Sequence, residues 1–134
     1  MFILRFLIII ILLFSFSCLA SCEKELNKIK SIEEDWGIEK NELNNQYHKS
    51  LKELAKVRGI SFSKMLLVDS WTIINEDAIL RKSEIKTSEK SDQLIKTLSR
   101  GYCKYYIPYE LELIESLREN YSLKIKHFET LIEK

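Results

Sequence analysis

Turn-forming residues are scarce along this chain, whose 134 residues include three glycines and one proline. A β-sandwich or a barrel needs many tight turns, and these are built from glycine, Asn-Gly pairs and proline. Lysine, glutamate, leucine, isoleucine, serine and asparagine dominate the composition instead. The scarcity of turn formers therefore predicts an all-α protein made of long helices.

The first predicted helix covers residues 23–58, which contain no proline and a single glycine, Gly37. Its apolar residues recur at spacings of three and four, which is typical of an amphipathic helix. Gly59 follows directly and suits a left-handed C-terminal cap, so we expect the helix to end there. The apolar stripe consists of Ile29, Ile32, Trp36, Leu43, Tyr47, Leu51, Leu54 and Val57.

A second segment, residues 62–82, is apolar on most of its sides. A helix of this kind normally lies at the centre of a bundle, so we expect Leu66 and Trp71 in the core. Ser61 or Ser63 can serve as its N-cap.

The same segment has a β-sheet alternative, in which M-L-L-V and W-T-I-I form two short strands, because β-branched residues favour strands. The residues between them lack any hairpin sequence. Asp77 and Arg81 also have the i,i+4 spacing of a favourable charge pair on a helix. The helix is therefore the favoured interpretation.

Residues 82–92 are polar and predict a mobile connection or a frayed helix end. Residues 93–100 then form a short helix that Gly101 should end. Proline is tolerated in the first turn of a helix, so Pro108 should open the last helix. The stripe of that helix consists of Leu111, Ile114, Leu117, Tyr121, Ile125, Phe128 and Ile132. Residues 22–134 are thus expected to form a small bundle of three long helices plus one short helix, with the second helix inside.

The chain begins with the order of segments found in a secretory leader. Arg5 supplies a positive charge, an unbroken apolar run extends from Phe6 to Phe14, and small residues follow. These features correspond to the n-region, h-region and cleavage zone of a signal peptide. A membrane-spanning anchor needs about 20 apolar residues, so the run is short for a span. We predict a cleaved signal peptide over residues 1–21, with an uncleaved anchor or plain secretion as alternatives.

The end of this leader, Leu19-Ala20-Ser21-Cys22, resembles the bacterial lipobox, in which a branched apolar residue and two small ones precede a modified cysteine. The resemblance implies diacylglycerol on the Cys22 thiol, cleavage after Ser21 and acylation of the new amino terminus. This covalent lipid would hold the protein to a membrane, because acyl chains contribute about 0.8 kcal/mol per buried methylene. The polar first turn after Cys22 is expected to act partly as a spacer from that membrane.

The lipobox, the short leader and the composition rich in lysine, isoleucine and asparagine resemble the small plasmid-encoded lipoproteins of Borrelia spirochaetes, particularly the short OrfD-type helical ones. The resemblance implies a lipid-anchored protein of the cell envelope, with the outer membrane as the expected location. It brings no catalytic residues to this chain.

Charge and cysteine content narrow the range of partners. Removal of residues 1–21 removes one basic residue and leaves a formally neutral chain. Such a chain lacks the clustered excess of lysine and arginine that nucleic acid binding requires. Cys18 does not fit the lipobox pattern and is removed with the leader, so Cys103 remains alone beside the lipidated Cys22. We expect no intramolecular disulfide and a small buried side chain at Cys103, with an intermolecular disulfide as the alternative.

Residues suited to catalysis or metal binding are not clustered in the sequence. His48 and His127 have no cysteine or histidine at i+3 or i+4, whereas a zinc site needs several converging ligands. The acidic runs at 33–35 and 76–77 lie among lysines on polar helix faces, where a raised pKa is not expected. We therefore expect a non-enzymatic protein without a metal or another cofactor.

Tyrosines are concentrated in one short stretch, Y-C-K-Y-Y-I-P-Y. This density predicts a recognition surface, because tyrosine offers rigid amphipathic area at low entropic cost. The alternative is a clamp that closes the end of the bundle, with rings inward and hydroxyls outward. We expect any protein partner to contact this turn on a face away from the lipid. The candidate residues are Tyr102, Tyr105, Tyr106 and Tyr109.

The sequence as a whole predicts a cell-envelope lipoprotein whose helical domain is a binding or interaction module. The alternative is a structural or prophage-type accessory factor of the envelope without a host ligand. Both hypotheses place the chain on a membrane through a lipid anchor.

Overall fold

The computed structural model describes Arg5 and residues 22–133. The predicted leader and its cleavage motif, Leu19, Ala20 and Ser21, lie outside the described residues apart from Arg5. Within the described residues every element is helical and three helices are long, which confirms the all-α prediction. The elements are α1 (Glu23–Arg58), α2 (Phe62–Lys64), a π-helical turn (Met65–Asp69), α3 (Ser70–Glu76), α4 (Ala78–Arg100), a 3₁₀ turn (Cys103–Tyr105) and α5 (Tyr106–Glu133).

The longest helix, α1, ends where the sequence predicts. Gly59 adopts a left-handed conformation with φ 69°, which glycine accepts at little cost, and its N–H donates to the carbonyl of Lys56. The 36 residues of α1 give a length of about 54 Å. Ile29, Trp36, Leu51 and Leu54 of the predicted stripe are buried. Val57 of the same stripe is 61% exposed.

Residues 62–82 do not form one helix, so the prediction of a continuous second helix is wrong. Ser61 caps α2 by accepting a hydrogen bond from the Lys64 N–H at 3.2 Å. Asp77 interrupts the segment, because its Oδ1 accepts from the Leu80 N–H at 2.9 Å while its own backbone is extended. Aspartate is a preferred N-cap for this reason. Asp77 therefore begins α4, and its carbonyl accepts a hydrogen bond from the Arg81 N–H at 3.0 Å.

The core positions predicted in this segment are also wrong. Trp71 is 70% exposed and Leu66 is 37% exposed. The short helices and the π-helical turn lie across the end of the bundle, so they bury only the side chains that face it. Met65 and Ile73 are buried there, with exposures of 0% and 2%, and Phe62 and Ile74 pack partly against the same cluster.

Residues 82–92 form the middle of α4, so the predicted mobile connection and separate short helix are wrong. Gly101 does end the helix, with φ 70°. The seam of α4 against α5 keeps alternating spacings of three and four, but four of its six members are polar. It consists of Leu80, Ser83, Thr87, Lys90, Leu94 and Thr97. Hydrogen bonds to α5 replace part of the apolar contact. Hydrophobic periodicity alone therefore does not reveal this helix.

The C-terminal helix, α5, is the central helix of the bundle. It packs along both α1 and α4, whereas within the described residues α1 and α4 share no comparable interface. The chain therefore runs out along α1, back along α4 and out again along α5. Leu111, predicted in the stripe of α5, is 50% exposed, while Ile114 and Phe128 are buried.

Two apolar clusters stabilise the two ends of this bundle. We call the end that contains Cys22 the proximal end and the opposite end the distal end. The proximal end comprises residues 22–29 and 96–109, and the distal end comprises residues 51–79 and 128–133. The distal cluster is the larger and contains Leu51, Leu54, Ala55, Met65, Ile73 and Phe128. The proximal cluster contains Cys22, Ile29 and Tyr106, with Leu26, Leu98, Cys103 and Ile107 packed against it.

A polar seam joins the two clusters between α4 and α5. Asn120 donates from Nδ2 to the Ser83 hydroxyl at 3.1 Å, and the Thr87 and Ser116 hydroxyls are 2.7 Å apart. These groups are buried or half-buried and paired, so they satisfy one another instead of weakening the contact. The seam adds directional contacts where large apolar side chains are missing.

Candidate functional site

The proximal end brings together the two cysteines of the described chain. Cys22 and Cys103 form a disulfide, with their Cα atoms 5.4 Å apart. The expectation of no intramolecular disulfide is therefore wrong for the chain in this form. The expectation depended on a lipid at Cys22, because a lipidated cysteine has no thiol left to form a disulfide. The left-handed turn at Gly101 reverses the chain and returns Cys103 to the start of α1.

The sulfur of Cys22 can form one bond beyond its Cβ, so the disulfide and a lipid thioether exclude each other. Cys22 is also fully buried, at 0% exposure. A modifying enzyme needs an accessible thiol, so acylation at this position has to precede the folding of the proximal end. In an acylated chain Cys103 is left as a thiol next to the lipid attachment site.

The tyrosine-rich turn is divided by the start of α5 into a buried and an exposed part. Tyr106 is fully buried in the proximal cluster, and its hydroxyl donates to the Leu98 carbonyl at 3.4 Å. Tyr102 and Tyr105 are 53% and 40% exposed. One ring thus closes the bundle, as in the clamp alternative, while the others face outward.

The outward tyrosines line an open cleft of about 360 Å³. The rings of Tyr105 and Tyr109 stack with centroids 5.5 Å apart, and the Lys104 ammonium lies 5.0 Å from the centroid of the Tyr105 ring. The remaining lining residues are Gln93, Lys96, Thr97, Arg100 and Tyr102. This combination of flat rings and cations suits binding to an anionic group or a flat polar one.

The position of the turn contradicts one expectation from the sequence. The turn was expected on a face away from the lipid, yet its Cys103 is bonded to Cys22 itself. Lys96 and Arg100 of the cleft were also missed. Their i,i+4 spacing just before Gly101 was the available signal, because it places both cations on one face of the last helical turns.

A buried carboxyl lies close to this end. Glu110 is 5% exposed and shares a hydrogen bond with Glu33 of α1. Burial, followed by the nearby Glu33 carboxylate, raises the pKa of Glu110 to about 7. Glu33, Glu34 and Asp35 are themselves exposed, as the sequence predicts, and the buried carboxyl with the raised pKa is Glu110 on α5.

The distal end exposes several large apolar side chains beside its polar ones. Leu67 is 80% exposed and Trp71, one turn further on, is 70% exposed, with Leu66 at their edge. We call these three residues the distal patch. Val57 and Ile79, at the adjoining helix ends, are 61% and 64% exposed. Exposed apolar groups of this kind on a small protein often mark an interaction site.

The two histidines lie apart, in α1 and α5. The His48 ring packs edge-on against Phe62 with centroids 6.0 Å apart, and His127 Nδ1 lies 3.5 Å from Asp77 Oδ2. Among the described residues no group of three or more histidine, cysteine or acidic side chains is arranged to hold a metal ion. No helix among residues 22–133 combines the length and the apolarity that a membrane span requires.

Comparison with protein-family models, with curated proteins and with solved structures finds no match to this chain. Function therefore has to be argued from the residues themselves.

Proposed function

We propose that this protein is a non-enzymatic lipoprotein of the cell envelope, anchored by lipid on Cys22 and acting as an interaction module. The observation that carries the proposal is the position of Cys22. It lies immediately before α1, so a chain cleaved after Ser21 starts at the first residue of the folded domain. The lipobox-like sequence supplies the modification, and the proposed location is the outer membrane.

The length of α1 supports a role in displaying the distal patch away from the membrane. Its roughly 54 Å hold the distal patch far from any lipid on Cys22. A lipid surface is therefore not the natural occupant of that patch. Leu67 and Trp71 instead suit an apolar surface on a protein partner, since aromatic and aliphatic anchors dominate protein interfaces.

Lipidation is tested by metabolic labelling with a palmitate analogue. The wild-type protein should carry label, and Cys22→Ala should lose it and accumulate as an uncleaved precursor. Cys103→Ala is the matched control and should keep the label. Label that persists in Cys22→Ala, or is missing from the wild type, contradicts the anchor.

The interaction role is tested by photocrosslinking on intact cells. A benzophenone amino acid at position 67 should give a crosslinked product with another protein. The control position is Ile38, which is 75% exposed but lies in the middle of α1. Equal products from both positions, or products only between copies of this chain, contradict a partner at the distal patch.

Surface protease treatment of intact cells separates the main proposal from a structural or prophage-type accessory factor. Loss of the domain under mild proteolysis supports display to a partner outside the cell. Full protection supports the accessory role inside the envelope.

A further inference from the structure

We propose that the tyrosine-rich turn at the proximal end is a membrane-contact surface, which seats the bundle on the anionic headgroups of the membrane that holds its lipid. The proposal rests on the lipid anchor argued above and adds the orientation of the domain. It assigns the exposed part of the turn to lipid and leaves the distal patch for a protein.

The tyrosine-rich turn lies close to Cys22. The Cα atoms of Cys22 and Cys103 are 5.4 Å apart in the disulfide-bonded chain. Without that bond, the packing of Tyr106 in one cluster with Ile29 still holds the turn at the start of α1. Consecutive Cα atoms are 3.8 Å apart, so those of Tyr102 and Lys104 lie no more than about 9 Å from that of Cys22. The polar headgroup region on each side of a bilayer is about 5–8 Å thick. A lipid on Cys22 therefore keeps these two residues within side-chain reach of the headgroup region.

Within the described residues no flexible spacer separates Cys22 from the folded domain. The first turn after Cys22 was expected to separate the domain from the membrane, but α1 already begins at Glu23. The Cys22 carbonyl accepts a hydrogen bond from the Leu26 N–H at 2.9 Å, which ties the attachment residue to the helix. The domain therefore follows its anchor closely, and the turn cannot move far from the bilayer surface.

The chemistry of the exposed side chains fits this environment. Tyrosine is enriched at the interface between membrane and water, where the ring meets apolar groups and the hydroxyl stays hydrated. Tyr102 and Tyr105 are the exposed tyrosines of the turn. At the distal end the large exposed apolar side chains include Leu67 and Trp71, on a surface that the anchor holds away from the membrane.

The proximal end carries a local excess of positive charge, although the mature chain is formally neutral. Residues 22–28 and 96–105 contain five cations and two carboxylates. Lysine and arginine near the surface are attracted to anionic lipid. The cations are Lys24, Lys28, Lys96, Arg100 and Lys104, and the carboxylates are Glu23 and Glu25.

The test uses the acylated protein, with lipid on Cys22 verified by mass, in vesicles of phosphatidylcholine and phosphatidylglycerol that contain brominated phosphatidylcholine. Trp36→Phe leaves Trp71 as the only tryptophan of the described chain and reports on the distal end. Adding Trp71→Phe and Tyr105→Trp moves the reporter to the turn. Bromine quenches tryptophan at short range, so the reporter at 105 should be strongly quenched and Trp71 hardly at all. Quenching at 105 no greater than at 71 overturns the proposal.

A charge variant tests the headgroup contact itself. Replacing Lys96, Arg100 and Lys104 with glutamine should lower the quenching at 105 roughly twofold in vesicles with phosphatidylglycerol. Replacing Lys52, Lys56 and Lys64 near the other end is the matched control and should leave it unchanged. Equal effects from both sets overturn the electrostatic part.

Failure of this proposal is distinguishable from failure of the anchor. Verified lipid on Cys22 with an unquenched turn overturns the contact surface and leaves the lipoprotein assignment intact. A protein without lipid on Cys22 overturns both.

Discussion

The two ends of the bundle differ in how they combine a core with a surface. The distal end has the larger buried cluster, built around Phe128, and presents Leu67 and Trp71 to solvent. The proximal end has a smaller cluster around Tyr106 and presents tyrosines and cations. The difference indicates that stability is concentrated at the distal end. The proximal end depends more on what is attached to Cys22, and its surface suits a charged, hydrated boundary.

The largest expected effect is on the free energy of unfolding, and it should distinguish a buried side chain of the distal end from an exposed one. Phe128→Ala should lower the free energy of unfolding by about 3–5 kcal/mol, because it empties a fully buried site. Trp71→Ala should change it by less than about 0.5 kcal/mol, since that ring is mostly exposed. Urea unfolding followed by circular dichroism measures both. Similar losses for the two variants would show that the distal patch belongs to the core.

The second effect belongs to the proximal half, where Glu110 lies. Its pKa is raised in the folded state to about 7, so the protonated form stabilises the fold. That contribution is complete below a pH of about 4.5 and is lost as the pH rises through about 7, with a total loss of roughly 3 kcal/mol. Glu110→Gln keeps the shape and removes this titration. We expect its stability to change less than that of the wild type between about pH 5 and pH 8.

Hydrogen exchange sharpens this result. At higher pH, after correction for the intrinsic exchange rate, amides near Glu110 should lose protection before those around Phe128. A wild-type stability that rises over the same pH range, or a variant that keeps the full pH dependence, would contradict the assignment to Glu110.

The third effect concerns the start of α4 at the distal end. Asp77→Ala removes the side chain that accepts the Leu80 N–H and should cost about 1 kcal/mol. Asp77→Asn retains an acceptor and should recover most of the loss. If Asn is as damaging as Ala, the capping bond is not the source, and the contact of Asp77 with His127 has to be considered instead.

The smallest expected effect tests the clamp at the proximal end. Tyr106→Phe removes the hydrogen bond to the Leu98 carbonyl and should lower stability by about 0.5–1 kcal/mol. Tyr102→Phe is the matched control at an exposed position and should have no measurable effect. An equal loss for both variants would show that the two tyrosines are not divided between core and surface.

The parts of the fold that follow from local chemistry were predictable. Gly59 and Gly101 end their helices as expected, because a left-handed cap depends on a single residue. The break at Asp77 was missed because aspartate suits both a helix N-cap and an i,i+4 charge pair, and only tertiary contacts decide between them. The helix over 82–92 was missed because its seam uses serine, threonine and lysine in place of apolar residues.

The candidate sites were less predictable than the helices. Apolar density in residues 62–82 indicated burial throughout, but the segment lies across the bundle end, where Met65 and Ile73 are buried and Leu67 and Trp71 are exposed. The approach of Cys103 to Cys22 depends on helix lengths and on the turn at Gly101, which no local motif encodes. The exposed tyrosines were identified from the sequence, whereas their position beside Cys22 required the fold.

The most direct test of the account is the mass of the two cysteine-containing tryptic peptides from the membrane-associated protein. The account predicts a peptide that begins at Cys22 and carries diacylglycerol, together with a separate peptide of residues 101–104 whose Cys103 reacts with an alkylating reagent. A chain that retains residues 1–21, or a disulfide that joins Cys22 to Cys103 with no lipid on either, would contradict the anchor on which the orientation of the molecule depends.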